Sequence, residues 1–114
     1  MDSNDPKIHA AVMRVAYECE GGINLNEKAF CIVIGNASIL FLQDLAELLD
    51  RYKIDNMVYN IRLRISAPES VLKFYELTYN VFDLKLYVTA KKTGLETLIK
   101  HKAEKRHYNR RNKW

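Results

Sequence analysis

Residues 17–23, "YECEGGI", join a helical pattern to a strand pattern. Upstream, Asp5-Pro6 is a helix start, with Asp5 as N-cap and Pro6 at the first helical position. Ile8, Ala11, Val12, Val15, Ala16 and Cys19 then recur at helical spacing. Gly21-Gly22 predicts the end of that helix. Downstream, Ile23 and Leu25 alternate with Asn24, Asn26 and Lys28, a strand signature. The last helical turn thus carries two carboxylates, Glu18 and Glu20. They stand where the macrodipole disfavours negative charge by roughly 0.3–1 kcal/mol each. A solvated helix end is the plain reading of such a pair; its position leaves the question open.

Working outward, residues 29–35, "AFCIVIG", read as a second strand, paired with the first through a turn near Glu27-Lys28. Ser38 caps a helix predicted over 39–53, with Ile39, Leu42, Leu45, Ala46, Leu48 and Leu49 as its apolar positions. In "DNMVYNIRLRIS", Ile61, Leu63 and Ile65 alternate with Arg62, Arg64 and Ser66, so a second hairpin turns near Asp55-Asn56 or Tyr59-Asn60. Pro68 opens a third helix, expected over 68–81. "FDLKLYVTAKKTG" reads as a loop or short strand, and "LETLIKHKAEKR" as a closing helix. The order αββαββα(α) implies an α+β domain: a four-stranded antiparallel sheet with helices on one face and the other open. The alternation assigns Asn24, Asn26, Lys28, Arg62, Arg64 and Ser66 to the open face.

The chain has 114 residues, 48% of them apolar, which suits one small core. No apolar run approaches the ~18 residues of a membrane span, and "MDSNDPKIHAA" lacks the basic and apolar regions of a secretory signal. Cys19 and Cys31 have neither disulfide-framework nor metal-ligand spacing. These features predict a protein that is not secreted, in a reduced cytoplasmic (nucleoid-associated) or organellar setting. Of the net +4, residues 84–114 hold ten basic and two acidic side chains, leaving −4 for residues 1–83. Residues 1–100 therefore read as the domain and 101–114 as a basic C-terminal tail. Such an end favours polyanions, nucleic acid first, or is simply solvated.

Taken together, these residues resemble the LAGLIDADG homing-endonuclease family in its single-motif form. In "MRVAYECEGGI", Glu18, Cys19, Glu20, Gly21 and Ile23 match the end of the family motif. "YNIRLRISAPESVLKFYELT" resembles the family's fourth strand and next helix, and "AKKTGLETLIKHK" its closing helix; the likeness spans about residues 5–100. The resemblance implies a symmetric homodimer in which motif helices pack side by side, with Ala11, Val15, Glu18, Cys19 and Gly21 at the interface. It implies that Glu20 of each subunit binds Mg²⁺ at a shared centre and that double-stranded DNA is cleaved there. It places Lys91 and Lys92, just before the last helix, near the scissile phosphate, and gives the sheet face (Asn24, Asn26, Lys28, Arg62, Arg64) the role of reading DNA. It would belong to intron or intein mobility. The chain departs where the family usually has Leu-Ala-Gly: it has Met13-Arg14-Val15, and the bulkier Val15 and Cys19 predict a slightly wider helix pair or a helix rotated from the usual contact. Ile34 stands where the family often has a polar residue, with Asn36 the polar substitute nearby.

Two other readings follow from the same residues. One is a catalytically inactive DNA-binding relative, regulatory or maturase-like; the other is an α+β protein-interaction domain. His9, His101 and His107 lack ligand spacing and are expected at the surface. Phe74, Tyr75, Tyr79 and Phe82 are expected in the core rather than stacked on bases.

Overall fold

The computed structural model describes residues 4–26, 29–80 and 90–111. Helix α1 (Pro6–Glu20) runs directly into β1 (Gly21–Asn26). Then come β2 (Ala29–Gly35), α2 (Ile39–Arg51), β3 (Met57–Tyr59), β4 (Arg62–Ile65), α3 (Pro68–Tyr75), a π-helical turn (Glu76–Asn80) and α4 (Ala90–Arg111). The strands form one antiparallel sheet in the order β1-β2-β4-β3. This is the α+β fold that the sequence predicts.

Local chemistry explains the boundaries. The Asp5 carboxylate accepts the Lys7 N–H at 3.0 Å, and the Ser38 hydroxyl accepts the Phe41 N–H at 3.3 Å, so both helices begin at a capped donor. The second hairpin turns at Asn60-Ile61, where Asn60 takes φ 54°, a left-handed conformation that asparagine tolerates. The expected turn near Glu27-Lys28 lies outside the described residues, although β1 and β2 pair from Gly21↔Ile34 to Asn26↔Ala29. Two expectations are corrected. The third helix keeps α geometry only to Tyr75 before widening into the π turn. The last helix already includes Ala90–Gly94, which had read as loop or strand, so Lys91 and Lys92 lie in its first turn. Leu95 and Leu98 bury this helix against the core, and Gly94 lies beside Ile23. Helix α4 runs on past residue 100 to Arg111.

One face of the sheet builds the core. Ile32 pairs with Ile65 and Ile34 with Leu63; all four are fully buried. They pack with Met13, Tyr17, Leu42, Leu45, Leu49, Val71, Phe74, Leu95 and Leu98. At about 25 cal/mol per Å² of apolar surface removed from water, this shared cluster is what holds the helices to the sheet. The alternate register carries Val33↔Arg64, Gly35↔Arg62, Met57↔Arg64 and Tyr59↔Arg62. Met57, Tyr59 and Arg62 are exposed there. Cys31 shares that register but is fully buried, and burial pushes its thiol pKa up against the lowering influence of Arg64 and Lys102.

Helix α1 buries a different face from the one its aliphatic pattern predicts. His9, Ala10, Met13, Arg14, Ala16 and Tyr17 are buried, whereas Ile8 (48%) and Val15 (49%) are exposed, as is Cys19. His9, expected at the surface, is 3% exposed; its Nδ1 lies 2.7 Å from the Tyr52 hydroxyl, with the rings edge to face. Arg14 is 5% exposed, donates to the Thr78 carbonyl at 3.4 Å and lies 4.3 Å from the Tyr79 ring centre. Aromatic and carbonyl partners remote in sequence make these polar residues interior.

Candidate functional site

The α1–β1 junction gathers the candidate residues. Gly21 passes from helix to strand with φ −103° and ψ 175°, extended backbone that any residue adopts. Gly21 ends the helix as the sequence predicts, and glycine is required there by proximity. A Cβ on Gly21 would meet the Tyr17 carbonyl oxygen at 2.7 Å and Tyr17 Cδ1 at 2.8 Å. No basic residue lies in the last turn of α1; α4 supplies one. Lys91 Nζ donates to the Gly21 carbonyl, while the Tyr17 hydroxyl donates to the Lys91 carbonyl at 2.6 Å. This reciprocal clasp puts an ammonium at the negative end of the helix. Burial, reinforced by Glu18, pushes the Tyr17 phenol far above its ordinary range, so it remains a donor.

The two glutamates separate. Glu18 turns to the π turn and accepts from the Tyr79 hydroxyl. Burial and that bond hold the Tyr79 phenol protonated. Tyr79 stacks on Tyr75, whose hydroxyl donates to Glu96 at 2.7 Å, and Lys92 Nζ lies 5.9 Å from the Tyr79 ring centre. Glu18, expected at an interface, is thus half-buried in a network that ties α1 to the π turn and α4. Its nearest local signal, a glutamate two residues before Glu20, gives no hint of a partner 61 residues away.

Glu20 is exposed. Its Oε2 accepts the Asn36 side-chain amide at 2.6 Å, and Oε1 has no hydrogen-bond partner among the described residues. Asn36 is itself fixed: Oδ1 accepts the Ser38 N–H at 2.7 Å, and its own N–H donates to the Ile61 carbonyl at 3.0 Å. The fold therefore brings Glu20, Gly21, Asn36 and Lys91 together and places Lys92 beside Tyr79.

The remaining candidates fall on two surfaces. Along α1, Val15 and Cys19 are exposed and Ala11 half-exposed, forming with Ile8 an uncovered stripe of small and aliphatic groups; Gly21 is buried. On the sheet, Arg62 is exposed and Arg64 lies 5.6 Å from the Tyr59 ring centre. Asn24 faces the same side at the register of Cys31, and the Asn26 backbone pairs with Ala29. Lys28 lies outside the described residues. Tyr59, exposed beside the arginines, went unread in the sequence because its strand has only three residues.

Among the described residues, no three His, Cys, Asp or Glu side chains form a group that could hold a metal ion. At this junction Glu20 is an exposed carboxylate with one oxygen engaged by Asn36. No helix among the described residues is long and apolar enough to cross a membrane. Comparison with protein-family models, curated proteins and solved structures finds no match for the chain.

Proposed function

We propose that the chain is a homodimeric, divalent-metal-dependent endonuclease of the LAGLIDADG type, acting on double-stranded DNA. The observation that carries this reading is the exposed stripe Ile8, Ala11, Val15 and Cys19, which leads along one helix to the exposed Glu20. An aliphatic stripe of this kind is covered by joining two copies of α1. A two-fold axis there brings together two Glu20 carboxylates and matches the symmetry of a palindromic duplex.

In that dimer Glu20 of each chain would hold the divalent cation. The cation, when bound, supplies activation of the attacking water and stabilisation of the leaving oxygen. The protein's own contribution is orientation. Asn36 holds one oxygen of Glu20, Lys91 fixes the junction through Gly21, and the Tyr79–Glu18 contact anchors the preceding turn. Arg62, Arg64 and Tyr59 face away from the core and would meet the DNA groove, with basic groups of α4 on phosphates.

A second reading, a DNA-binding protein of this fold that does not cleave, is favoured by the engagement of Lys91 with Gly21 and of Lys92 with Tyr79. Incubation with a randomised palindromic duplex library, with Mg²⁺ or with chelator, tests both. Mg²⁺-dependent cutting that Glu20→Gln abolishes while binding persists supports the endonuclease. Retained salt-sensitive binding with no cutting in Mg²⁺ or Mn²⁺ selects the second reading. Failure to bind any duplex at low salt overturns both.

A further inference from the structure

On the open face of the sheet, the register sets two rows side by side. One row runs Gly35, Arg62, Tyr59 and the next Val33, Arg64, Met57. Each arginine thus stands between an aromatic or thioether side chain on the edge strand β3 and a small or aliphatic residue on β2. The rows lie about 6.8 Å apart at the antiparallel rise. Farther along β2, Cys31 is buried, but Tyr59 is 43% and Met57 61% exposed, and Arg62 is exposed with them.

The charge of this face has one sign. None of the four strands contains an Asp or Glu. Arg62 makes no hydrogen bond or ion pair among the described residues, and Arg64 lies 5.6 Å from the Tyr59 ring centre. Two guanidiniums without a carboxylate between them favour a polyanion. A polyanion alone gives no reason for the exposed ring. A duplex offers its groove base edges, because its base faces are stacked on one another. An unpaired base has a free face, and an exposed aromatic beside arginine is the surface that stacks on it. A four-stranded antiparallel sheet with helices behind it holds such a ring flat and open. Two rows are room for a few nucleotides only.

We propose that the β3–β4 half of the open face binds single-stranded nucleic acid, with one base stacked on Tyr59 and with Arg62 and Arg64 on the flanking phosphates. This goes beyond the duplex reading and needs neither a second copy nor Glu20.

Fluorescence anisotropy of a labelled oligothymidylate and of a hairpin duplex, at fixed salt with the full chain, is the test. The single strand should bind more tightly. Tyr59→Leu should weaken its binding about 5–100-fold, as loss of one stacked base does, whereas Tyr59→Phe, which keeps the ring, should bind as the unsubstituted chain does. Arg62→Ala should make the salt dependence shallower. Tighter binding of the duplex overturns the proposal and leaves the groove reading of this face standing; binding of neither overturns both. Equal affinity of Tyr59→Leu and the unsubstituted chain overturns the stack. A second measurement does not depend on a variant folding. In the unsubstituted chain, the Tyr59 ring proton signals should move upfield as oligothymidylate is added; unmoved signals overturn the proposal.

Discussion

At Gly21 the requirement for glycine comes from Tyr17, whose carbonyl and ring lie under 3 Å from where a Cβ would sit. Both groups are constrained, the carbonyl by the helix and the ring by its hydroxyl bond to Lys91. Gly21→Ala should therefore destabilise the fold by about 1–3 kcal/mol, as overpacking does, measurable by urea unfolding. Lys53 is the opposite case. It takes φ 58° after α2, where the Ile54 N–H bonds the Leu49 carbonyl at 3.1 Å and the Lys53 N–H the Asp50 carbonyl at 3.0 Å. This is a Schellman end with lysine in the glycine position. Lys53→Gly should raise stability by about 0.5–1 kcal/mol in the same assay, because the left-handed strain exceeds the entropy that glycine adds. Neither feature could be read from the chain: "GG" after a helix suggests a left-handed cap, and "RYKID" suggests none.

Between elements, the π turn is the joint that fastens α1 to α4. Across this turn Tyr75 and Tyr79 stack and send their hydroxyls to Glu96 on α4 and Glu18 on α1. The hydrogen bond to Glu96 leads burial in pushing the Tyr75 phenol from its ordinary 10.0 up to about 12. A raised folded-state value means that the folded chain keeps a proton the unfolded chain has released. The stabilisation is complete below pH ~10 and lost as pH rises through about 12. Stability measured against pH should fall across that window, and Tyr75→Phe should flatten the fall. An unaltered slope in the variant would assign the alkaline loss to other groups. The bare order of helices and strands was legible because Leu63 and Ile65 alternate with the arginines and Leu42, Leu45 and Leu49 repeat on a helix. The joint was not, since Glu18 and Tyr79 are 61 residues apart.

For the whole molecule, two surfaces stand out, and each predicts a measurement. Cys19 is exposed on the α1 stripe and Cys31 is buried. Mild oxidation should therefore link two chains through Cys19 if paired α1 helices form the dimer; Cys19→Ser should abolish the link, and a chain that stays monomeric would count against the pairing. On the sheet, Arg62 and Arg64 stand two residues apart on one strand, about 6.8 Å at the antiparallel rise. That span is about two base steps, so under the proposed DNA-binding reading the pair would suit two guanines separated by one position. Arg62→Ala and Arg64→Ala should each cost about 1–3 kcal/mol at one base and relax specificity there, in binding-site selection at fixed salt. A uniform loss across sequences, with a shallower salt dependence, would assign both arginines to phosphates.

By itself the sequence determined the order of the main helices and strands and the inward face of the sheet. Those depend on residue periods of 3.6 and 2, which each stretch of chain carries within itself. It also marked Glu20 and the glycine after it, because they sit at the seam where one period gives way to the other. Tertiary structure alone decided which side of α1 lies inside. Ile8 and Val15 are as apolar as a core demands, yet His9, Arg14 and Tyr17 are buried in their place, and Tyr52, Thr78 and Lys91 each give one of them a hydrogen-bond partner. The same holds for the junction: Asn36 reaches Glu20 only because β2 lies antiparallel to β1 and ends beside α1. Periodicity specifies what could be buried; the partners that make polar burial tolerable come from distant parts of the chain, and only folding brings them there.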